Sequence, residues 1–331
     1  MTDTELLSLE PYGLARAQKR ALLTRELAEL TKQHAAGCPE YAAMLTAYGA
    51  DPDRVQGFEE LPFLPVRLFK EYELKSVPEE SLHKTMTSSG TTGQQVSKIF
   101  LDRETSALQS KVLSKIMGDF LGKQRLPMII LDTSAIIKNR AMFSARGAGI
   151  LGFSIFARDK IYALDENMRL DVEGLKAFLN KHRGEGIFLF GFTFMIWQHF
   201  LAELRRAGYR PDLSGGVLVH GGGWKKLADQ HISTERFKQE LRDACGLNRV
   251  HNYYGMVEQT GTIYMECGHG HLRARMVGRN DSPRAGFHRG GCGGERADSG
   301  IQRYRAQLPR TCPPDGGRGQ DIGRGRLSLW A

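Results

Sequence analysis

Short apolar runs that recur between helical patterns constrain this chain more than any other feature. They fall at Met128 to Leu131, Ile150 to Phe156, Ile187 to Phe190, Val217 to His220 and Val250 to Tyr254. Helical spacing separates most of them, at Leu175 to His182, Phe194 to Ala207 and Ser233 to Ala244. Strand and helix in alternation predict an α/β fold with largely parallel sheets covered by helices. Glycines at the ends of such strands mark the turns where ligands usually sit.

Upstream, residues 14 to 36 place Leu14, Ala17, Ala21, Leu22, Leu27 and Leu30 near helical spacing, which predicts an amphipathic helix packed on the body. A loop with Cys38-Pro39, Tyr48-Gly49 and Asp51-Pro52-Asp53 follows, and the prolines of Leu61-Pro62-Phe63-Leu64-Pro65 set an extended lead-in. Ser97 to Leu101 reads as a strand, and Glu104 to Leu121 as a helix started near Asp102. At 331 residues, either one large domain or two smaller ones would fit.

Composition narrows the partners. Hydrophobic residues make up 41% and charged residues 25%, the balance of a soluble globular protein. No run approaches about 18 apolar residues, so no membrane span is expected. The N-terminus lacks the basic and then apolar pattern of a secretion signal. Five scattered cysteines without a C-x-x-C pair suit a reducing cytoplasm. The net charge of +9 invites a nucleic-acid reading, but residues 275–331 hold 11 of the 46 basic and 5 of the 37 acidic residues. Residues 1–274 are therefore nearly neutral, at 35 against 32, and the body offers no basic cluster to displace counterions.

Three loops carry the candidate chemistry. Thr87-Ser88-Ser89-Gly90-Thr91-Thr92-Gly93 offers backbone N–H groups and hydroxyls to phosphate oxygens. A Walker loop would need Lys and then Ser or Thr where Gln95-Val96 stand, which argues against a P-loop NTPase; a flexible surface linker is the plain alternative. His220-Gly221-Gly222-Gly223-Trp224 closes an apolar strand and permits close approach to a flat ligand such as adenine, or simply a tight turn capped by a buried Trp. Asn252-Tyr253-Tyr254-Gly255-Met256-Val257-Glu258 ends another strand with an aromatic face, a glycine turn and a carboxylate suited to Mg²⁺. Taken together these predict an ATP-binding, adenylating enzyme.

Two further segments admit alternatives. Cys267, His269 and His271 stand at i, i+2 and i+4, so an extended strand would aim them together at Zn²⁺, whereas the intervening glycines also allow an exposed loop. The aromatic run Ile187 to Trp197 reads as core by default and also suits the wall of an acyl pocket.

The motifs TSSGTTG at 87, HGGGW at 220 and YGMVE at 254, in that order, resemble the adenylate-forming superfamily of acyl-CoA synthetases and phenylacetate-CoA ligases. More narrowly, LEPYGL at 9, LPFLPVRLFKEYEL at 61 and HNYYGMVEQTGTIYMECGHGHL at 251 resemble the acyl-protein synthetases that accompany fatty-acid reductases in bacterial luminescence. The resemblance implies that Thr87 to Gly93, with Thr91 and Thr92 acting in catalysis, hold the ATP phosphates. It implies that Gly221 to Gly223 and Asn252 to Gly255 hold the adenine, and Glu258 the Mg²⁺. The reaction implied is fatty acid plus ATP to acyl-AMP plus pyrophosphate, with the acyl group passed to a protein cysteine and on to an acyl-accepting reductase. A CoA ligase of the phenylacetate type is the alternative.

The resemblance runs to about residue 272. Residues 275–331 contain 12 Gly and 11 Arg, no Lys and no sustained period, which predicts poor order. The expected organisation is an adenylation domain over 1–272 and an aberrant Arg/Gly-rich tail over 273–331, in the manner of a frameshifted GC-rich gene. Its Gly-Arg repeats leave RNA binding as a reading from another class.

Overall fold

The computed structural model describes residues 8–9, 14–62, 64–88, 95–138, 145–222, 232–258 and 262–274. The Arg/Gly-rich residues 275–331, with the order, frameshift and RNA-binding expectations that fall on them, lie outside these. The chain divides into two compact units, Met1–Lys115 with Gly255–Ala331, and Ile116–Tyr254. No helix among the described residues is long and apolar enough to cross a membrane.

In the first unit the expected N-terminal helix forms as α1, Arg16–Gly37, yet its only fully buried residue is Thr31. Leu22, Leu27 and Leu30 are half-buried and Ala17 and Ala21 exposed, so the apolar stripe is shallower than its spacing suggests. Polar contacts hold it instead: Phe58 N–H donates to Thr24 Oγ1 at 3.0 Å, and Arg20 reaches the Gln56 carbonyl at 3.1 Å. Helix α2, Pro39–Tyr48, starts on a proline that has no N–H to lose. It builds a small core from Cys38, Tyr41, Leu45 and Leu64.

The same unit contains an antiparallel hairpin of β1, Leu82–Thr87, and β2, Lys98–Asp102. Asp102 Oδ1 accepts from Thr105 N–H at 2.7 Å, so the predicted start of helix α3, Arg103–Leu121, is where the sequence signal stands.

The second unit is a parallel sheet of β3 (Leu126–Thr133), β4 (Ala157–Leu164), β5 (Phe188–Phe192), β6 (Val217–Gly221) and β7 (Arg249–Tyr254). Its spatial order is β4-β3-β5-β6-β7. Seven of the eight residues of β3 and all five of β6 are buried, as strands covered on both faces must be. Phe188, Phe190, Phe200 and Phe237 have no exposure, each worth about 2–3 kcal/mol of transfer free energy.

The run Ile150 to Phe156 is not a strand. It ends helix α4, Ala145–Phe153, and continues as a 3₁₀ turn, Ser154–Phe156. Ile150 and Phe153, three apart, are buried while Leu151 and Ile155 are about two-fifths exposed, so the three-to-four spacing decides it. The strand here is β4, whose Arg158, Asp159 and Lys160 hide it from an apolar scan; charged residues are the usual dress of a sheet edge.

Helix α5, Val172–Lys181, is capped by Asp171 Oδ1, which accepts from Gly174 N–H at 2.9 Å. The predicted helix after β5 runs from Thr193 through a wide π segment, Ile196–Phe200, into α6, Leu201–Ala207. Ser233 caps α7, Thr234–Cys245, accepting from Arg236 N–H at 3.1 Å.

Candidate functional site

The hydroxyl-rich loop is carried by the β1–β2 hairpin of the first unit. Thr87 pairs with Lys98, and the mouth beyond them is shut by two bonds: Ser88 N–H donates to the Ser97 carbonyl at 3.1 Å, and Ser97 N–H to Ser88 Oγ at 2.9 Å. Ser88 Oγ thus acts as an acceptor in the stem, with its own O–H still able to donate. Ser89, Gly90, Thr91, Thr92 and Gly93 lie outside the described residues. Lys98 Nζ is engaged by Glu73 Oε1 at 2.6 Å on an exposed face.

Glu258 belongs to the same unit and is only 6% exposed. Among the described residues it has no ion-pair or hydrogen-bond partner. Its neighbour Val257 packs against Phe69, Ile99 and Leu101, the small core beneath the hairpin, with Met86 beside it. The carboxylate is therefore anchored to the stem that carries the hydroxyl loop. A nearly buried glutamate at this place is the kind of group that a divalent ion engages. Gly255 begins this segment, where a Cβ would come within 3.3 Å of Ile263 Cγ2.

Of the two readings open for Cys267, His269 and His271, the structure has the loop and not the metal site. No group of three His, Cys, Asp or Glu among the described residues could hold a metal ion. The segment is the turn between β8, Tyr264–Glu266, and β9, Leu272–Ala274. Cys267 N–H donates to the His271 carbonyl and Gly270 N–H to the Cys267 carbonyl, both at 2.9 Å, with Gly270 at φ +76°. The reversal breaks the extended geometry that alone would have aimed the three side chains together.

In the second unit the parallel strands bring their carboxyl ends to one edge. Chain order reverses at β3, since β4 lies on one side and β5 on the other, and such a reversal is where open α/β sheets place ligands. Asp132, at this reversal, has no exposure and meets Arg146 Nε of α4 at 2.9 Å. Burial pushes its carboxyl above the ordinary range against the opposing pull of Thr133 N–H and Arg146. Arg146 Nη1 rests 3.3 Å from Met195 Sδ, and its guanidinium 5.9 Å from the Phe194 ring centre. Sequence reasoning missed this pair; an aspartate ending an apolar strand was the one available signal.

At the end of β6 the glycines receive the protein's own rings. A Cβ on Gly221 would lie 2.2 Å from the Tyr253 ring, and one on Gly222 2.9 Å from Phe192. Tyr253 packs its ring, tilted, against Phe153 at 5.0 Å and Phe190 at 6.0 Å, and burial pushes its hydroxyl up to about 12. Tyr254 is 38% exposed, so the open aromatic face of the pair belongs to it. Asn252 is half-buried opposite His220, and Gly223 and Trp224 lie outside the described residues. Of the aromatic run, Ile187 to Phe190 is core as expected by default, while Phe192, Phe194 and Trp197 are partly open.

The family model described as acyl-protein synthetase, LuxE, matches residues 1–280. Two curated relatives are named long-chain-fatty-acid–luciferin-component ligase. The one from Aliivibrio fischeri is 24% identical over 211 residues, covering 60% of this chain and 52% of the relative. The one from Vibrio harveyi is 24% identical over 198 residues, covering 56% and 49%. The chain thus spans about half the length of the curated relatives it matches. Among solved structures, a 2-hydroxyisobutyryl-CoA ligase in complex with 2-HIB-AMP and CoA is similar in fold, with a TM-score of 0.55. It is 15% identical and covers 79% of this chain and 55% of that one.

Proposed function

This chain belongs to the acyl-protein synthetase (LuxE) family, and from that membership we propose that it activates a long-chain fatty acid with ATP. The carboxylate oxygen attacks the α-phosphorus, the bond to pyrophosphate breaks, and acyl-AMP forms. A carboxylate is already a nucleophile, so the protein's task is alignment and charge neutralisation rather than proton removal.

Thr87, Ser88, Ser89, Gly90, Thr91, Thr92 and Gly93 are assigned to the phosphates. Gly221 to Gly223, Asn252, Tyr253, Tyr254 and Gly255 are assigned to the adenine. Glu258 is the residue that would hold Mg²⁺, which when bound offsets phosphate charge. The observation that carries this reading is Glu258: nearly buried, and fastened through Val257 to the hairpin of the hydroxyl loop.

Transfer of the acyl group to a protein cysteine, and from there to a reductase, forms the second part of the proposal. Cys38 and Cys245 are poor acceptors. Both are nearly fully buried, and burial pushes the Cys245 thiol up to about 12, leaving almost no thiolate. We assign residues 1–272 to adenylation and expect the segment from 273 to leave full activity weak or absent even where ATP still binds. Sequencing across codon 273 tests the frame. A cytoplasmic setting goes with the sparse cysteines, of which Cys38, Cys245 and Cys267 are free.

The test is Mg·ATP binding by calorimetry on the full chain, with fatty-acid-dependent exchange of pyrophosphate into ATP beside it. Glu258→Gln should lower magnesium-dependent binding and any exchange by about 100-fold. Absence of ATP binding by the unaltered chain, or binding indifferent to Glu258→Gln, overturns the reading. Radiolabelled fatty acid that reaches protein without CoA separates acyl-protein synthesis from the CoA-ligase alternative.

A further inference from the structure

We propose that Thr193 and His220 are positioning residues that hold the glycine turn ending β6 in the shape that receives a nucleotide. The inference rests on the adenylation reading and deepens it at Gly221 and Gly222.

Thr193 is 1% exposed and His220 4%. Thr193 Oγ1 stands 2.9 Å from His220 Nδ1, 3.1 Å from the Gly221 carbonyl oxygen and 2.9 Å from the Gly222 carbonyl oxygen. A hydroxyl has one proton, and carbonyl oxygens only accept. Were that proton given to His220, two carbonyls would face a bare oxygen within 3.1 Å, in a buried site where such repulsion is unscreened. The proton therefore goes to the carbonyls, and His220 Nδ1–H donates to Thr193. This fixes the tautomer: Nδ1 is protonated and Nε2 bare.

Two observations agree. His220 Nε2 is buried and makes no hydrogen bond, while its ring packs 4.9 Å from that of Phe237. Burial, with smaller contributions from Lys238 of α7 and His251 of β7, holds the imidazole down to about 3, so it stays neutral. An unpaired buried ring nitrogen is costly, and its retention here has a use: the other nitrogen steers the hydroxyl.

The consequence falls on the turn. Gly222 sits at φ +82°, a conformation open mainly to glycine, and its carbonyl is one of the two that Thr193 holds. Because a trans peptide sets N–H opposite C=O, the grip on the Gly221 carbonyl directs the Gly222 N–H away from Thr193. The donor is then set before any ligand arrives.

The experiment combines ¹⁵N NMR of His220 with Mg·ATP titration of the full chain and its Thr193→Val and Thr193→Ser variants. We expect a protonated Nδ1 and bare Nε2 that do not change from about pH 5 to 8, the range across which an ordinary histidine titrates. Thr193→Val should weaken ATP binding on the order of 10-fold, and Thr193→Ser, which keeps the hydroxyl, should restore it. A protonated Nε2, a histidine that titrates in that window, or Thr193→Val binding as the unaltered chain does would each overturn the inference. If the unaltered chain binds no ATP, the adenylation reading falls and the positioning role falls with it; a protonated Nδ1 would then still report the hydrogen-bond arrangement itself. Should Thr193→Val fail to fold, the Thr193→Ser titration and the tautomer decide the matter.

Discussion

Helix α1 and strand β3 show two opposite ways of belonging to one chain. The helix has 22 residues and one of them is fully buried; the strand has eight and seven are. The helix is held by exposed ion pairs such as Arg20 with Glu59 and Lys32 with Asp53. Exposed pairs contribute little, because water screens them and two long side chains must be ordered, whereas apolar burial scales with the area removed from water. Stability should therefore be concentrated in the parallel sheet, with α1 free to fray at little cost.

The largest effect expected on this contrast comes from Phe190→Ala. Phe190 has no exposure and stacks on Phe153 at 4.5 Å, so its truncation should cost about 3–5 kcal/mol in urea unfolding, aromatic contact included. A loss below about 1 kcal/mol would mean that the sheet is not where stability resides.

An intermediate effect should appear in acid. Glu203, 8% exposed, is held down to about 2 by Arg206, the Leu170 N–H and Arg169, with hydrogen bonds of 2.7 to 3.2 Å. Its folded value lies below the ordinary 4.5, so its contribution is present above that value and is lost as pH falls towards 2. Glu203→Gln should flatten the decline in stability across that window, and an unchanged acid profile would count against the network.

The smallest effect belongs to the helix. Arg20→Ala should change stability by less than about 1 kcal/mol, and less again at high salt. If it cost as much as Phe190→Ala, the contrast between the two regions would be broken.

Much of the fold was legible because burial leaves a local trace. Met128 to Leu131, Ile187 to Phe190, Val217 to His220 and Val250 to Tyr254 each lie within a strand or run into one, and Asp102 and Ser233 cap the helices they announce. What the sequence misleads on or leaves open shares a cause. Ile150 to Phe156 is apolar almost throughout, and its helical spacing shows only once the fold buries Ile150 and Phe153 and leaves Leu151 and Ile155 partly open. For Cys267 to His271 the sequence left a metal site and a loop both open, and choosing the loop required knowing that the chain reverses there. Of the candidate site, the hydroxyl loop, the glycine turn and Glu258 could be named from residue types. Asp132, Arg146 and Thr193 could not, since they belong to no motif and their partners stand far along the chain.

The sequence by itself determined the α/β class, most strand positions, the helix caps and the family, because each is written in spacing or in contiguous motifs. Tertiary structure alone decided the strand order, which of Tyr253 and Tyr254 is the more exposed, and the bonding of Thr193 to His220. Those depend on contacts between residues distant in the chain, and the free energy of such a contact belongs to the pair and its surroundings rather than to either residue.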